Sequence, residues 1–564
     1  DHAAECLEAA LKRNRDAGDA HYYLGLVRRA QNRIGEAIDQ LMWCVRVGHK
    51  ESVARYMLGE IYFADGLNAA LEHLTQAVRL DPRDLKARAA LAMAELRVGK
   101  TDAAQARIDD VIREMPIDYF ALYTRYRILS ERNKREEAER AWADLWRLLS
   151  RESDSVLELV FDCTFLGAGE KERIWYQLTY RERKPVHPIL LYAMAPSLAP
   201  PRDVKAAPFK GGSTADSAYI FPHRVEEIAI LQTWLKANPQ DGRAAYYLGN
   251  ALASKLRFKE ALDAWRIAVK FDSQNAVAHR NFARALAQVE GEKEEAVAAM
   301  ERAIALAPDD HHLYVELDQL LAELKQTDRR IKLLEGAPEK ARVRPALLQS
   351  LAAAYIDAGR LTDAIRLLEQ NTFVSGEGEG NALGIYRRAQ LAVARQHQQA
   401  GRHVEAAAAF IKATEFPRNF GVGREAMRSQ AREYVAAARE FEAAGKRDEA
   451  KKWWQRAADE ALNSPTQPEE PWSEHYYFKA VALDNIDRKD EARALYERLA
   501  RLADNKQMLD AEPSPPRGTI RFLLAGLGLK ALGRNEQARA AFQRVLQLDP
   551  SNERAQAELN RMPR

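Results

Sequence analysis

The sequence predicts an all-α protein, a right-handed superhelical α-solenoid of about a dozen helix-turn-helix units in two blocks. Three observations lead to this prediction. Small and large residues recur together at a spacing of roughly 34 residues along most of the chain. Glycine followed by a basic residue marks several turns between the predicted helices. The chain has 564 residues, more than one compact core holds, so several domains or a repeat array are expected.

Each predicted unit pairs two antiparallel helices whose facing sides combine small and large residues. The clearest copy has Gly249 in its first helix and Ala261, Trp265 and Ala268 in its second. This spacing places the small and large residues on one face of each helix, where they interlock. Further copies contain Gly25 with Ala37, Gly59 with Ala70, Ala104, Ala138 with Trp142, Ala296 with Met300, Ala364 with Leu368, Ala406 with Phe410, Ala450 with Trp454, Ala492 with Tyr496, and Gly526 with Ala538.

Glycine turns separate the helices of several units. Ala-Gly-Arg occurs at 358–360 and 400–402, Ala-Gly-Lys at 444–446 and Leu-Gly-Arg at 532–534. A glycine just past a helix end, with a basic residue beside it, suits the C-cap and the helix dipole. The last stretch, Ser551 to Arg561, is charged and poor in apolar residues. It is predicted to be the polar helix that closes the array.

The repeat pattern fails between about 151 and 218, where prolines are frequent and 208–218 has the composition of a loop. We interpret this segment as a joint between two repeat blocks. The predicted domains are 1–150 as the first block, 151–218 as an irregular helical joint with a linker, 219–462 as the second block, and 463–564 as C-terminal units with a capping helix.

Charge and composition narrow the function classes. Lys and Arg number 85 against 82 Asp and Glu, so no nucleic-acid partner is predicted. No apolar run approaches the roughly 20 residues that cross a bilayer. Cys6, Cys44 and Cys163 lack the spacing of a disulfide framework or a metal site, and Cys44 is predicted to be buried. Because the chain begins at Asp1 without Met, we expect a processed or truncated piece of a longer protein.

The unit pattern resembles the tetratricopeptide repeat, and 219–460 resembles the repeat region of one uncharacterised bacterial family. The second resemblance rests on Tyr219-Ile-Phe-Pro-His-Arg-Val-Glu-Glu, Tyr246-Tyr-Leu-Gly-Asn250, Tyr314-Val-Glu-Leu-Asp318, the Gly-Glu-Gly-Glu-Gly loop at 376–380, and Asn419-Phe-Gly-Val-Gly-Arg424. Long members of that family place a β-sandwich domain of unknown function, similar to sugar-mutarotase-like folds, before the repeats. The resemblance implies that such a domain was left off this chain, and it points by association to carbohydrates. Val374-Ser375 stand where the family usually carries an aromatic residue.

The search for catalytic motifs predicts no catalysis and no cofactor. The chain has no GxxxxGK[ST], HExxH or GxSxG sequence. Glu377 and Glu379 have the residue types of an acid–base pair for sugar cleavage, with a solvated acidic loop as the favoured alternative. His223 and Arg224 form a second candidate pair, with a helix-capping histidine and a structural salt bridge as the favoured alternative.

Two known binding modes do not fit the residues. His311 and His312 have metal-ligand chemistry, but adjacent helix residues are expected to diverge and no third ligand has suitable spacing. Repeats that clamp the C-terminal carboxylate of chaperones use Lys and Asn, then Asn, then Lys and Arg. Here the five positions hold Tyr246, Asn250, Asn281, His312 and Glu316. Because Glu316 would repel a carboxylate, this mode is disfavoured.

The predicted binding residues lie on the inner face of the first helix of each unit, three positions before and one after its small residue. The earlier position holds Tyr22, Tyr123, Tyr246 and Tyr477, the later one holds Asn250 and Arg284, and Asn281 lies two positions before Ala283. Aromatic rings and amides along a groove suit an extended peptide or a sugar. Alternatively, the tyrosines pack against the next unit.

The predicted function is a protein-interaction or assembly scaffold, whose groove holds a protein, a peptide or its own missing N-terminal domain. The alternative is the non-catalytic helical part of a carbohydrate-active protein whose sandwich domain is missing here. Catalysis by this chain alone is the least favoured hypothesis. The candidate binding residues are Tyr246, Asn250, Asn281, Arg284, His223, Arg224, Glu377 and Glu379.

Overall fold

A computed structural model describes residues 2–31, 33–63, 66–149, 173–174, 187–194, 221–373, 381–422, 429–461, 474–503 and 515–562. Within these ranges the chain forms 29 α-helices, two short 3-10 helices and one π-helix, with no strand. The all-α class is therefore confirmed. Across the same ranges, the helices lack the combination of length and apolar character that crossing a bilayer requires.

The chain divides into two compact units, Asp1–Ala307 and Pro308–Arg564, while the predicted boundaries at 150, 218 and 462 stay predictions. The helices of the first unit are α1 (His2–Arg13), α2 (Gly18–Ala30), α3 (Ile34–Val47), α4 (Glu51–Tyr62), α5 (Leu67–Leu80), α6 (Leu85–Arg97), α7 (Thr101–Glu114), α8 (Tyr119–Glu131), α9 (Arg135–Leu149), α10 (Pro188–Met194), α11 (Val225–Ala237), α12 (Gly242–Ser254), α13 (Phe258–Phe271), α14 (Ala276–Ala285) and α15 (Lys293–Leu306).

The second unit continues with α16 (His311–Glu323), α17 (Thr327–Glu335), α18 (Glu339–Arg342), α19 (Pro345–Asp357), α20 (Leu361–Glu369), α21 (Ala382–Gln399), α22 (His403–Lys412), α23 (Ala431–Ala443), α24 (Arg447–Asp459), α25 (Glu474–Asn485), α26 (Lys489–Ala500), α27 (Pro515–Ala531), α28 (Asn535–Leu548) and α29 (Glu553–Arg561).

Consecutive helices pack in pairs, and neighbouring pairs pack on one another in chain order from α2 to α9, from α12 to α15 and from α16 to α28. The pairs are α2–α3, α4–α5, α6–α7, α8–α9, α12–α13 and α14–α15 in the first unit, and α16–α17, α19–α20, α21–α22, α23–α24, α25–α26 and α27–α28 in the second. Each pair buries the apolar sides of both helices, which neither helix buries alone. The predicted solenoid of helix-turn-helix units is confirmed.

Local backbone chemistry sets the helix ends. The turns inside several pairs contain a glycine in the left-handed conformation, with φ of 74° at Gly359, 69° at Gly401, 73° at Gly445 and 74° at Gly533. These are the glycine turns predicted from the sequence. The turns between pairs often end in Asp or Asn, whose side chain accepts a hydrogen bond from a backbone N–H in the first turn of the next helix. Asp84 caps α6 in this way, with Ala87 N at 3.1 Å.

Small residues bring the helices of a pair together. A Cβ added to Gly526 would lie 2.6 Å from Cε1 of Phe542, and one added to Gly528 would lie 2.8 Å from the carbonyl oxygen of Tyr496. Both distances are shorter than a Cβ atom tolerates from another heavy atom. The close approach of α27 to α26 and α28 therefore depends on these glycines. Cys44, as predicted, is buried at the contact between α3 and its neighbours.

One pair lacks small residues at this contact, and the sequence pattern did not reveal it. In α16–α17, Asp318 and Arg330 stand twelve positions apart, the same separation as Gly249 and Ala261 in α12–α13. Nε of Arg330 donates to Oδ1 of Asp318 at 2.8 Å, and both side chains are buried. A second nitrogen of Arg330 donates to Asp357 of α19 at 2.7 Å. An ion pair thus replaces the small-residue contact in this unit.

Candidate functional site

The candidate site lies on α12 and α14, where the predicted amides come together. Asp241 caps α12, since its Oδ1 accepts a hydrogen bond from Ala244 N at 3.0 Å. Nε of Arg243 donates to Oδ2 of Asp272, at the end of α13, at 2.8 Å. The same Asp272 oxygen accepts from Nδ2 of Asn275, the residue before α14, at 3.0 Å. These bonds fix the starts of α12 and α14 relative to α13.

Gly249 determines which side chain reaches the inner face of α12. A Cβ at this position would lie 2.5 Å from Cδ1 of Trp265, so the Trp265 indole occupies the space that a larger residue would fill. From there, Nε1 of Trp265 donates to Oδ1 of Asn250 at 3.1 Å. The Asn250 amide is therefore held by a side chain from the second helix of its own pair.

The same oxygen also joins the two successive pairs. Nδ2 of Asn281, on α14, donates to Oδ1 of Asn250 at 3.0 Å. Both asparagines are half-buried, so each amide is partly open to solvent. The structure thus brings together two predicted site residues that are 31 positions apart, and it fixes them with a tryptophan that was predicted as a packing residue.

The four predicted groove tyrosines differ in exposure. Tyr123 is 0% exposed and Tyr246 is 4% exposed, so these rings pack between helices, as the alternative interpretation holds. Tyr22 and Tyr477 are half-buried. Burial raises the pKa of the Tyr246 hydroxyl, and a hydrogen bond from the neighbouring Asn250 amide opposes this shift. Tyr246 therefore contributes its hydroxyl beside Asn250 rather than an open ring face.

Arg284 lies one turn beyond Asn281 and is exposed. Immediately after α14, residues Leu286–Glu290 form a π-helical turn. This turn accommodates one additional residue, because Ala283 and Ala296 are thirteen positions apart, whereas Gly249 and Ala261 in the preceding pair are twelve apart. π-helical turns are frequent at functional sites in proteins.

His223 and Arg224 lie at the start of α11, but the capping group is a different residue. Oε2 of Glu227 accepts hydrogen bonds from the backbone N–H of His223 at 2.6 Å and of Arg224 at 2.7 Å. The interpretation of His223 as the capping side chain is wrong, because Glu227 folds back to fill that role and the His223 side chain is exposed. Burial raises the pKa of the Glu227 carboxyl, and the two backbone bonds oppose this.

Glu377 and Glu379 lie outside the described residues, so their predicted role stays a prediction. The segment that precedes this region is joined to Asn419, which lies in a 3-10 turn beyond α22. Nδ2 of Asn419 donates to the carbonyl oxygens of Leu368 at 2.8 Å and Asn371 at 2.7 Å. The backbone N–H of Phe373 donates to the carbonyl oxygen of Asn419 at 2.7 Å. Residues 368–373 are therefore held against the 3-10 turn at Arg418–Phe420.

His311 and His312 approach each other, although adjacent helix residues were expected to diverge. Their ring centroids lie 4.0 Å apart, and one ligand atom from each of Asp310, His311 and His312 lies within 4.8 Å of the others. The expectation is wrong because both histidines occupy the first turn of α16, beside its N-cap Asp310. Two imidazoles and a carboxylate suit Zn²⁺. The helix N-terminus and the nearby charge of Arg344 oppose a cation here.

The sequence did not reveal how α10 is held. Tyr192 of α10 is buried, and its hydroxyl lies 3.4 Å from Oδ2 of Asp241. Nε1 of Trp234 donates to the same oxygen at 2.9 Å. Asp241 therefore caps α12 and also anchors α10 and α11 beside the site. A signal existed in the sequence, since Asp241 directly precedes the clearest repeat, but its partners are distant along the chain.

Three segments of the chain match sequence models of the tetratricopeptide repeat: residues 1–42, 228–276 and 522–552. The matches include α12 and α13, which supply Asn250 and Trp265 of the site. Together with the helix pairs, they show that the chain contains tetratricopeptide repeats. Repeats of this class support a role as a protein-interaction scaffold. The predicted β-sandwich domain and the link to carbohydrates stay predictions.

Solved structures that resemble the chain include MamA, with 21% identity over 31% of this chain and 89% of its own, at a TM-score of 0.23. YrrB, described as a repeat protein with an unusual peptide-binding site, aligns with 17% identity over 32% of this chain and 90% of its own, at a TM-score of 0.26. The Cut9–Hcn1 hetero-tetramer of APC/C aligns with 12% identity over 97% of this chain and 96% of its own, at 0.25. Because these scores are low, the fold assignment rests on the helix pairs and the matched repeats.

Proposed function

We propose that the chain is a scaffold that binds an extended peptide segment of a partner protein along the inner face of α12 and α14. The amide pair carries the proposal. Oδ1 of Asn250 accepts hydrogen bonds from both Trp265 and Asn281, at 3.1 Å and 3.0 Å. The two amides are therefore held side by side before a ligand arrives, which lowers the entropy cost of binding.

The chemistry of the pair suits a peptide backbone. An asparagine side chain has two N–H donors and one oxygen acceptor. Among the described residues, the Asn281 side chain makes only its bond to Asn250, so one N–H and its oxygen remain for a ligand. An extended peptide presents C=O and N–H groups that match this pattern, whatever its side chains. The exposed Arg284 on the same helix then favours an acidic side chain at a nearby ligand position.

The test uses a peptide selected from a random library on the full-length chain, with affinity measured by calorimetry. We expect Asn281→Ala to weaken binding about tenfold, or about 1.4 kcal/mol. The fold should persist, because this half-buried side chain gives up one hydrogen bond. The matched control is Gln105→Ala, which removes a half-buried amide bonded to Asp109 within its own helix at 2.8 Å. Equal affinity in the wild type and Asn281→Ala would contradict the proposal.

Asn250→Ala is the stronger but less specific variant. It removes the acceptor of the Trp265 indole N–H as well as that of Asn281. A buried donor without a partner costs about 1–3 kcal/mol of stability. The peptide affinity of Asn250→Ala is therefore compared with that of Asn281→Ala. If only Asn250→Ala loses affinity, the amide pair has a structural role, and this result counts against the proposal.

A further inference from the structure

A second inner-face cluster lies in the second unit, around the side chain of Tyr477 on α25. Arg439 on α23, Lys530 on α27 and Arg554 on α29 all lie close enough for their charges to act on the Tyr477 hydroxyl. Burial raises the pKa of this hydroxyl, and the three cations oppose the shift. Three helices that are distant in sequence thus bring positive charge to one place.

The local carboxylates do not balance these cations. Glu474 pairs with Arg554 and lies 3.6 Å from a guanidinium nitrogen of Arg432. Nζ of Lys530 lies 2.6 Å from Oε2 of Glu558. Arg439 is exposed and has no ion pair among the residues that the structure describes. A third carboxylate, Asp484, acts together with Arg439 on Tyr496, the ring beside Tyr477. The four cations, counting Arg432, therefore face three carboxylates, and the surplus charge is positive.

The arginines continue along the neighbouring helix in the same arrangement. Arg388 and Arg395 on α21 are seven positions apart, as are Arg432 and Arg439 on α23. Seven residues complete about two helical turns, so each pair shares one helix face. Arg395 and Arg439 directly follow the small residues Ala394 and Ala438, at the inner-face position that Asn250 occupies in α12. Nε2 of Gln398 donates to Oε1 of Glu440 at 2.6 Å, which joins the two helices.

We propose that this basic face, formed by Arg388, Arg395, Arg432, Arg439, Lys530 and Arg554, binds an acidic segment of a partner polypeptide. Aspartate and glutamate side chains of the segment pair with the arginines, whose planar guanidinium groups match a carboxylate with two hydrogen bonds. The positive potential also speeds association with an acidic partner at low salt. This face is separate from the amide pair of the first unit and adds a charge-selective surface to the scaffold.

The face favours a polypeptide over a nucleic acid. Glu474 and Glu558 lie among the cations and would repel a continuous phosphate backbone. A polypeptide places neutral residues opposite these two carboxylates and acidic residues opposite the arginines. Single-stranded nucleic acids also require open aromatic faces for stacking, whereas Tyr477 is half-buried against Phe478 and Tyr496.

The test measures fluorescence anisotropy of a labelled peptide of alternating Glu and Ser, about ten residues long, with the full-length chain at low salt. We expect the Glu–Ser peptide to bind and its Gln–Ser counterpart to bind at least about tenfold more weakly. Arg395→Gln with Arg439→Gln should weaken binding by a similar factor. Both side chains are exposed, so the double variant should keep its fold.

Arg366→Gln is the matched control, because this arginine on α20 is 61% exposed and lies outside the basic face. It should bind the acidic peptide as the wild type does, and so should Asn281→Ala in the first unit. Failure of the Glu–Ser peptide to bind would overturn the proposal. Unchanged binding in the double variant, or tighter binding of a single-stranded RNA of the same length than of the acidic peptide, would also overturn it.

Discussion

In α12–α13, Gly249 and Ala261 stand where the two helices approach, whereas α16–α17 has Asp318 and Arg330 at the corresponding positions. The glycine admits the Trp265 indole, whose N–H then bonds to Asn250 on the inner face. The aspartate and arginine bond to each other and are 4% and 5% exposed. The first pair therefore holds a polar group in a fixed place on its inner face, while the second satisfies its polar groups inside the fold.

The same helix contact therefore has different consequences in the two pairs, and only the first matches the binding role that we propose. Small residues at the contact leave room for a large side chain that reaches the inner face. A buried ion pair fills the same space, and Arg330 also connects α17 to Asp357 of the next pair at 2.7 Å. Such a bond specifies how two pairs align, because a shifted arrangement would leave a buried charge without its partner. The repeat that lacks the small residues thus supplies a buried ion pair that helps to align it with the next pair.

The largest effect is expected when the ion pair is broken from one side. Arg330→Ala leaves the buried Asp318 carboxylate without its partner, which should lower the free energy of unfolding of the second unit by about 3–5 kcal/mol. The measurement is hydrogen exchange of the backbone amides of α16, α17 and α19 in the full-length chain. Exchange in α12 and α13 provides the internal control and should stay unchanged.

Replacing both partners tests whether the loss comes from the unpaired charge. In the double variant Asp318→Ala with Arg330→Ala, no buried carboxylate remains without an ion pair at this contact. We expect the free energy of unfolding of the second unit to be at least about 1 kcal/mol higher in this double variant than in Arg330→Ala alone. If the two substitutions are instead additive in destabilising α16 and α17, the ion pair does not act as a unit and the comparison fails.

A moderate effect is expected when the small residue of the other pair is enlarged. Gly249→Ala places a methyl group 2.5 Å from Cδ1 of Trp265, so the indole must move away from Asn250. Overpacking of this kind costs about 1–3 kcal/mol. Hydrogen exchange of α12 and α13, together with the Trp265 contribution to fluorescence, reports the change. Gly35→Ala is a suitable control because a Cβ there meets no atom within 4 Å. Similar behaviour of the two variants would show that the close approach is not required.

The smallest effect concerns the turn between the two helices of each pair, which has the same backbone conformation in both pairs. Leu256 in the first pair and Lys325 in the second adopt positive φ of 59° and 57°, where α19–α20, α21–α22, α23–α24 and α27–α28 have glycine. A residue with a side chain is strained by about 1–2 kcal/mol in this conformation, and glycine removes the strain. Part of this stabilisation is lost because glycine also makes the unfolded chain more flexible. Leu256→Gly and Lys325→Gly should therefore each raise the free energy of unfolding by about 0.5–1 kcal/mol. The melting temperature should rise slightly in each variant. A lowered melting temperature in both would refute this account of the turns.

The sequence predicted the repeats wherever small residues mark the helix contact. It did not predict α16–α17, where an ion pair occupies the positions of the small residues. A regular search for small residues does not detect Asp318 and Arg330, although their separation equals that of Gly249 and Ala261. Asn250 and Asn281 were predicted as inner-face residues from their position alone. Their contact with each other and with Trp265 depends on how neighbouring pairs stack, which the local pattern does not specify. The basic face remained hidden because Arg439 and Arg554 are far apart in the chain.

Hydrogen exchange of the full-length chain with and without the selected peptide tests the proposed role of the amide pair most directly. The account predicts that bound peptide slows exchange in α12, α14 and the π-helical turn at Leu286–Glu290, and that Asn281→Ala abolishes this protection at the same peptide concentration. Protection confined to the second unit, or protection of α12 and α14 that persists in Asn281→Ala, would contradict it.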